Sequence, residues 1–155
     1  MREMRRKKRA ITPGEARELL IHSDYGVLST AGEGGIPYGV PLSYCVIGQN
    51  IYFHCAVEGR KIDNIGHNSS VSFCVVGKRK VLADQFTTLY ESVIVSGNAR
   101  EVTGDEKQMA LEGLLKKYSP GFLEEGREYI KSMDDITKVF GIKMDHITGK
   151  AKGTN

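Results

Sequence analysis

Residues 51–66 read IYFHCAVEGRKIDNIG, and within them the chain changes from strand to helix. The alternation over Ile51–Cys55 predicts a strand, Gly59 predicts a loop, and Arg60-Lys61 opens a predicted helix. The first N–H groups of a helix lack partners, and the helix dipole favours negative charge there. This order of strand, glycine and two cations therefore predicts a site for an anion such as a phosphate.

The strand in this stretch carries a histidine at its end. A strand period of two places Ile51, Phe53 and Cys55 on one face and Tyr52 with His54 on the other. A histidine at a strand end is by itself most often structural. The glycine and the two cations that follow favour a binding role for His54.

Arg60 and Lys61 differ in what they can do to an anion. The Arg60 guanidinium can donate to two phosphate oxygens at once, and Lys61 adds a mobile point charge. Cations at a helix N-terminus oppose the dipole unless an anion lies there. The alternative is an ordinary solvated helix start.

Strands joined by short turns dominate the rest of the pattern. Six strands are predicted, at residues 25–31, 36–47, 51–55, 71–75, 92–102 and 139–147, with a bulge at Gly97. Pro41 has no N–H to donate, so its strand is expected at an edge, a bulge or a barrel corner.

Helices are predicted mainly at the start and after the fifth strand. Thr12 with Glu15 and Thr103 with Glu106 fit capping boxes that begin helices ending near His22 and Tyr118, and a weaker helix covers 122–133. The βαβ alternation of a doubly wound sheet is missing. The chain is therefore predicted to be mainly β, an antiparallel β-barrel with peripheral helices.

Composition restricts the class of protein. A length of 155 residues fits one domain, 40% hydrophobic residues is ordinary for a globular protein, and no apolar run approaches the roughly 20 residues that span a bilayer. The net charge of +3 comes from a basic arm near the N-terminus, because outside residues 1–9 there are 16 basic and 18 acidic side chains. We expect a flexible arm at 1–11, one domain at 12–149 and a polar tail at 150–155.

The cysteines and histidines point to no metal site and no nucleophile. Three cysteines without C-x-x-C spacing read as structural thiols in a reducing, cytoplasmic compartment, and no signal-peptide pattern follows the basic arm. No Ser-His-Asp or Cys-His arrangement stands out. Any chemistry would have to come from a bound cofactor.

Two further segments could contact a ligand. The stretch Gly39–Tyr44 could offer free backbone groups to a flat heteroaromatic molecule, although an edge strand protected by a proline explains it equally well. Ser92 could donate a hydroxyl hydrogen bond, although a serine on a strand is usually only solvated.

Together these motifs resemble the pyridoxamine 5′-phosphate oxidase-like, FMN-binding split-barrel proteins, and in particular the branch related to 5-nitroimidazole antibiotic resistance. The resemblance runs from about Thr12 to Gly153. The order and spacing of the following segments carry it: YGVLST (25–30), PYGVPLSY (37–44), IYFHCA (51–56), GRKIDNI (59–65), SVIVSG (92–97) and ITGKA (147–151).

The resemblance implies a six-stranded split barrel that forms a homodimer, with one FMN in each of two interface clefts. Arg60 and Lys61 would hold the phosphate, and His54 would face the flavin and its acceptor as the catalytic residue. The remaining cofactor contacts would come from the backbone of Val40, Pro41, Leu42, Ser43 and Tyr44, and from Ser92 and Val93. Glu91 and the absence of tryptophan depart from the pattern of relatives.

The implied activity is an FMN-dependent oxidoreductase that takes electrons from NADH or NADPH and reduces a small acceptor such as a nitro compound. Two alternatives share the fold: a non-catalytic flavin binder, and a haem protein with His54 or His146 as axial ligand. Nucleic-acid binding through the Arg2–Arg9 arm is disfavoured, because the rest of the chain is slightly acidic.

Overall fold

The computed structural model describes residues 4–153 and contains all six predicted strands. The eight strands are β1 (Ala10–Ile11), β2 (Gly26–Ala31), β3 (Pro37–Leu42), β4 (Cys45–Ile47), β5 (Asn50–Ala56), β6 (Ser70–Leu82), β7 (Thr87–Val102) and β8 (Thr137–Lys152). The four α-helices are α1 (Pro13–His22), α2 (Arg60–His67), α3 (Gly104–Tyr118) and α4 (Leu123–Met133).

All strands join one antiparallel sheet in the order β3-β2-β6-β7-β8-β5-β4, with β1 added beside β8. Leu28 in β2 and Phe53 in β5 are separated by three strands in this order, yet both lie in the same buried cluster. The sheet must therefore curl around that cluster, which also receives Ala16 and Leu20 from α1. This confirms the prediction of a mainly β, barrel-like antiparallel fold with peripheral helices.

The predicted strand at 36–47 is divided in two, which is one reason why the strand count is eight and not six. The chain leaves the ladder at Ser43-Tyr44, because both backbone groups of Tyr44 lie 3.0 Å from the Tyr118 hydroxyl of α3. Pro41 lies in β3, at the edge of the sheet, as its missing N–H predicts.

The bulge predicted at Gly97 is present as a register shift between Ser96 and Gly97 in the β7–β8 pairing. A Cβ atom at Gly97 would lie 1.9 Å from the carbonyl oxygen of Lys143. Only glycine allows β8 to approach β7 this closely.

The predicted boundaries of the arm and the tail differ from the structure. Ala10 and Ile11 form β1, opposite Lys150 and Gly149, and β8 continues through Lys152. The polarity of residues 150–152 is compatible with a strand because their backbone groups pair with β7. The parts of the predicted arm and tail at residues 1–3 and 154–155 lie outside the described residues.

One predicted capping box is correct and the other is wrong. At α1, the Glu15 N–H donates to Thr12 Oγ1 at 3.2 Å, and the Thr12 N–H donates to Glu15 Oε2 at 2.7 Å. At α3, Thr103 makes no side-chain cap. Glu106 instead accepts hydrogen bonds from Arg100, at 2.6 and 3.0 Å, and from the Tyr52 hydroxyl at 2.7 Å.

A second buried cluster lies on the outer face of the sheet, under α3. It contains Cys45 and Tyr52 from the sheet and Ala110, Leu111 and Leu114 from α3. Within residues 4–153, no helix is both long and apolar enough to cross a lipid bilayer.

Candidate functional site

The start of α2 has the geometry of an anion site. Gly59 precedes the helix with a φ of 146°, a backbone conformation that residues other than glycine rarely adopt. No atom lies within 4 Å of the position that a Cβ would take there. Its carbonyl accepts from the N–H groups of Ile62 at 2.9 Å and Asp63 at 3.2 Å. No side chain caps the helix, and the first N–H groups of a helix have no partner within it.

Arg60 and Lys61 reach towards opposite ends of the sheet. The Arg60 guanidinium lies 4.7 Å from the ring centre of Tyr38 in β3. Burial first, and the charge of Lys61 second, lower the pKa of His54 in β5. The structure thus brings Arg60, Lys61 and His54 together at the opening between the two ends of the curled sheet.

A buried hydrogen bond holds α2 in this opening. Asn64 Nδ2 donates to Thr30 Oγ1 of β2 at 2.9 Å, and both residues are buried. Gly32 lets the helix approach, because a Cβ there would lie 2.4 Å from Asn64 Oδ1. This contact was not predicted. The available signal was a polar Asn64 between the apolar residues Ile62 and Ile65.

His54 lies on the face of β5 that α3 covers, but α3 does not bury it. Tyr52, on the same face of β5, is buried under α3, whereas His54 is exposed at the mouth of a cavity. Desolvation by the surrounding atoms and the charge of Lys61 lower the pKa of His54 from its ordinary value of 6.5. The imidazole is therefore neutral at pH 7.

The predicted cofactor segment 40–44 divides into an accessible and an occupied part. Val40 and Leu42 are half-buried, and Pro41 and Ser43 are exposed. Tyr44 is fully buried, and its hydroxyl donates to the Leu20 carbonyl. Because the Tyr118 hydroxyl occupies the Tyr44 backbone groups, contact with a cofactor is left to the residues before Tyr44.

Ser92 and Val93 lie in β7, at the centre of the sheet and away from the ends that α2 bridges. Ser92 is half-buried, opposite Val76 in β6 and Lys150 in β8. Val93 points into the core and is fully buried, so only its backbone could contact a ligand.

A cavity of about 550 Å³ lies between α3, α4 and the sheet. Ser43 and His54 both line it, so the structure joins two predicted site residues that are 11 positions apart in the chain. Much of the remaining wall is apolar or aromatic and comes from α3 and α4. The sequence did not predict this cavity, because the amphipathic pattern of α3 is fully explained by packing.

The thiols do not form a nucleophilic centre. Cys45, Cys55 and Cys74 are all free. Burial raises the pKa of each, that of Cys45 to about 11. At neutral pH the thiolate is therefore scarce. In the part of the chain that the structure describes, no three His, Cys, Asp or Glu side chains are grouped in a way that could hold a metal ion.

The basic arm packs against the sheet near β7 and β8. Lys7–Arg9 form a 3-10 turn that leads into β1. A hydrogen bond from Arg9, together with the charges of Arg9, Lys150 and Arg6, lowers the pKa of the half-buried Tyr90. Residues 7–11 therefore run beside the sheet, and the flexibility expected for the arm at 1–11 stays a prediction.

Comparison with known proteins agrees with the architecture. A family model described as pyridoxamine 5′-phosphate oxidase matches residues 12–151. The chain belongs to the pyridoxamine 5′-phosphate oxidase family. The family resemblance inferred from the sequence motifs is thereby confirmed. Among curated protein sequences, none matches the chain.

Solved structures extend this family assignment at the level of fold. A candidate 5-nitroimidazole antibiotic resistance protein from Bacteroides thetaiotaomicron is 21% identical with TM-score 0.72, and the match covers 91% of this chain and 85% of that one. An FAD-binding protein from Mesorhizobium loti is 21% identical with TM-score 0.67, over 91% and 93%. An FAD and haem binding protein from Mycobacterium smegmatis is 16% identical with TM-score 0.81, over 95% and 74%.

Proposed function

We propose that this member of the pyridoxamine 5′-phosphate oxidase family is an FMN-dependent reductase of a small acceptor, such as a nitro compound, with NADH or NADPH as donor. One observation carries the proposal: the start of α2 bridges β3 and β5, with Arg60 beside Tyr38 and Lys61 close enough to His54 to affect its pKa. Two cations that could hold a phosphate, the edge strand β3 and a histidine that could donate a hydrogen bond are the parts that support the proposal.

The residues present fit the phosphate of FMN. Arg60 is exposed, Lys61 is half-buried, and neither forms an ion pair with any acidic group among residues 4–153. The bare glycine and the uncapped N–H groups leave room for phosphate oxygens to approach the backbone. The flavins named for the Mesorhizobium loti and Mycobacterium smegmatis proteins support the choice of a flavin.

When bound, FMN would supply two-electron transfer between the nicotinamide donor and the acceptor. The side chains of this protein would bind and orient. Arg60 and Lys61 would neutralise the phosphate, and the backbone of Val40–Ser43 would hold the ring edge. Neutral His54 can donate a ring N–H hydrogen bond to an oxygen of the acceptor, and it can relay a proton if its second ring nitrogen accepts a proton from solvent as the first is passed on.

A phosphate-specific binding experiment tests the cofactor site. In the variant Arg60→Ala/Lys61→Ala, we expect FMN to bind about 100-fold more weakly, because two charge-assisted contacts of about 1.5 kcal/mol each are lost. Riboflavin, which lacks the phosphate, should bind equally to variant and wild type. Both affinities are measured by quenching of flavin fluorescence.

A second adjacent Arg-Lys pair provides the matched control. Arg79 and Lys80 are exposed on β6, outside the α2 opening. Arg79→Ala/Lys80→Ala should bind FMN as the wild type does. Unchanged FMN affinity in the Arg60/Lys61 variant would contradict the proposal.

Turnover separates a reductase from a flavin carrier. We expect steady oxidation of NADH or NADPH when a nitro or quinone acceptor is added to the FMN-loaded protein, and a much lower rate in His54→Phe with flavin content unchanged. A flavin-loaded protein without turnover would support the non-catalytic alternative.

Haem binding is the second candidate, because His54 lines a large cavity with many apolar walls. His146 is exposed on β8 and does not line this cavity. The visible spectrum of the purified protein distinguishes the candidates, since a Soret band marks haem and the two broad bands of an oxidised flavin mark FMN.

We also propose that the protein is a homodimer in the cytoplasm. The outward face of β2, β6 and β7 carries uncharged side chains at neighbouring positions, and Val76 and Ile94 are 55% and 49% exposed there. A second copy could cover this face. Light scattering should show a dimer. The variant Ile94→Glu should dissociate it, whereas Val81→Glu, at the end of β6, should not.

The cytoplasmic location is supported by the three free thiols, which suit a reducing compartment.

A further inference from the structure

The cavity between α3 and α4 is suited to a small flat molecule. Its volume of about 550 Å³ is in the range of pockets that enclose drug-sized ligands. The walls include Leu111 and Leu114 from α3 and Ile130 and Met133 at the end of α4. A two-ring aromatic molecule would fill part of this space and leave its edge at the mouth.

Aromatic rings stand exposed at the mouth of the cavity. Phe122 and Tyr129 are 66% and 65% exposed, and Tyr118 lines the same cavity. Large rings left open to water at a concave site favour stacking with a planar ligand. Phe122 is the residue just before α4 and Tyr129 lies within α4, a helix whose residues are all exposed or only half-buried.

The polar groups of the cavity are few and lie at different places. Ser43, His54 and Thr137 come from the sheet side, where they can bond one polar group of a ligand. Glu125 on α4 is the only Asp, Glu, Lys or Arg among the lining residues. A ligand carboxylate would lose its hydration without gaining a cation among those residues.

We propose that this cavity is the acceptor site, and that it takes uncharged, planar two-ring aromatic compounds with a nitro or carbonyl oxygen directed at His54. The role of the ligand as an electron acceptor rests on the proposed function. Binding of the ligand in the cavity does not require a flavin. Under this assignment two adjacent sites bind different classes of ligand. The site at Arg60-Lys61 binds an anion, and the cavity under α4 binds a neutral aromatic molecule.

Two probes that differ by one charge test the ligand class. We expect 5-nitroindole to bind in calorimetric titrations, and 5-nitroindole-2-carboxylate to bind at least about tenfold more weakly, because its carboxylate must enter an apolar space beside Glu125. Equal affinity for the two probes would overturn the assignment to uncharged compounds.

Two phenylalanine variants test the location. Phe122→Ala removes an exposed ring from the mouth and should weaken 5-nitroindole binding about five- to tenfold. Phe86→Ala removes a ring that is 97% exposed on the β6–β7 turn, away from the cavity, and should leave binding unchanged. Equal loss in both variants, or no loss in Phe122→Ala, would place the ligand elsewhere.

Flavin content measured on the same preparations distinguishes the two proposals. If 5-nitroindole binds in a Phe122-dependent manner and FMN does not bind, the cavity assignment stands and the proposed reductase fails. If FMN binds and is reduced while 5-nitroindole binding does not depend on Phe122, the reductase stands and the cavity assignment fails.

Discussion

The hydroxyl of Tyr118 lies 3.0 Å from both the backbone nitrogen and the carbonyl oxygen of Tyr44, although the two residues are 74 positions apart. The Tyr44 N–H donates to this hydroxyl, which itself donates towards the Asp24 carbonyl at 2.5 Å. The Tyr118 hydroxyl of α3 thus marks the end of β3, separates β3 from β4 and ties α3 to the sheet. This contact also sets the C-terminal limit of the segment that is expected to contact the cofactor.

Replacing Tyr118 with phenylalanine should destabilise the fold. The ring remains, but the Tyr44 N–H loses its acceptor, and an unpaired backbone group costs about 1–3 kcal/mol. Urea unfolding measures the change. Tyr129→Phe is the control, because that side chain is exposed and no hydrogen bond of its hydroxyl is seen in the described chain. Equal stability of the two variants would contradict a structural role for the Tyr118 hydroxyl.

The close approach of α2 to β2 makes Gly32 sensitive. In Gly32→Ala the new methyl group would meet Asn64 Oδ1, and because Asn64 is held by Thr30, relief requires the buried hydrogen bond to break. We expect a loss of about 1–3 kcal/mol in the free energy of unfolding.

Gly14→Ala is the comparison for this variant. Gly14 lies in α1, and a Cβ there meets only Thr12 Oγ1 at 3.9 Å. Alanine in a helix should be neutral or stabilising by up to about 1 kcal/mol. If both glycine variants unfold at the same urea concentration, the Gly32–Asn64 contact does not restrict the fold.

Two threonines with the same sequence signature should respond differently to truncation. Thr12→Ala removes a real cap and should lower stability by about 1 kcal/mol, measured by thermal unfolding. Thr103→Ala removes a side chain that caps nothing, so its effect should stay within about 0.5 kcal/mol. A reversed order of the two variants would refute the assignment of the caps.

The lowered pKa of His54 should make stability depend on pH. The unfolded chain has the ordinary value of 6.5, so below that pH it binds a proton more readily than the folded protein does. The stabilisation is fully present above pH 6.5 and is lost as the pH falls through the lower, folded-state pKa.

The comparison with His54→Gln isolates this contribution. Between pH 7 and pH 5, the wild type should lose more stability in urea unfolding than His54→Gln does. His146→Gln, at an exposed position on β8, is the matched histidine replacement and is measured in parallel. Parallel curves for the wild type and His54→Gln would show that the environment of His54 leaves its titration unchanged.

Local signals were sufficient for most of the fold. The alternation in 51–55, the cap at Thr12 and the missing N–H of Pro41 are properties of short segments, and all three appear as expected. The separation of β3 from β4 and the role of Glu106 were not predicted. Both depend on contacts between residues distant in the chain, Tyr44 with Tyr118 and Tyr52 with Glu106, for which a single sequence carries no signal.

The candidate site was predictable in part for the same reason. Arg60, Lys61 and His54 are close in sequence, so their proximity follows from one turn between β5 and α2. The cavity wall is different. From the sequence alone, its residues in α3 and α4 are interpreted as packing positions. Only the folded structure shows that the exposed rings of Phe122 and Tyr129 line the same cavity as His54.

The strand order has a consequence for the time course of folding. β8 lies between β7 and β5, and it follows every other strand along the chain. Until β8 is in place, β3-β2-β6-β7 and β5-β4 are two fragments with no backbone ladder between them, each with an unprotected edge. Sheet closure must therefore be among the last events during synthesis on the ribosome, and the strand edges of the partly made chain stay open to pairing with other chains until then.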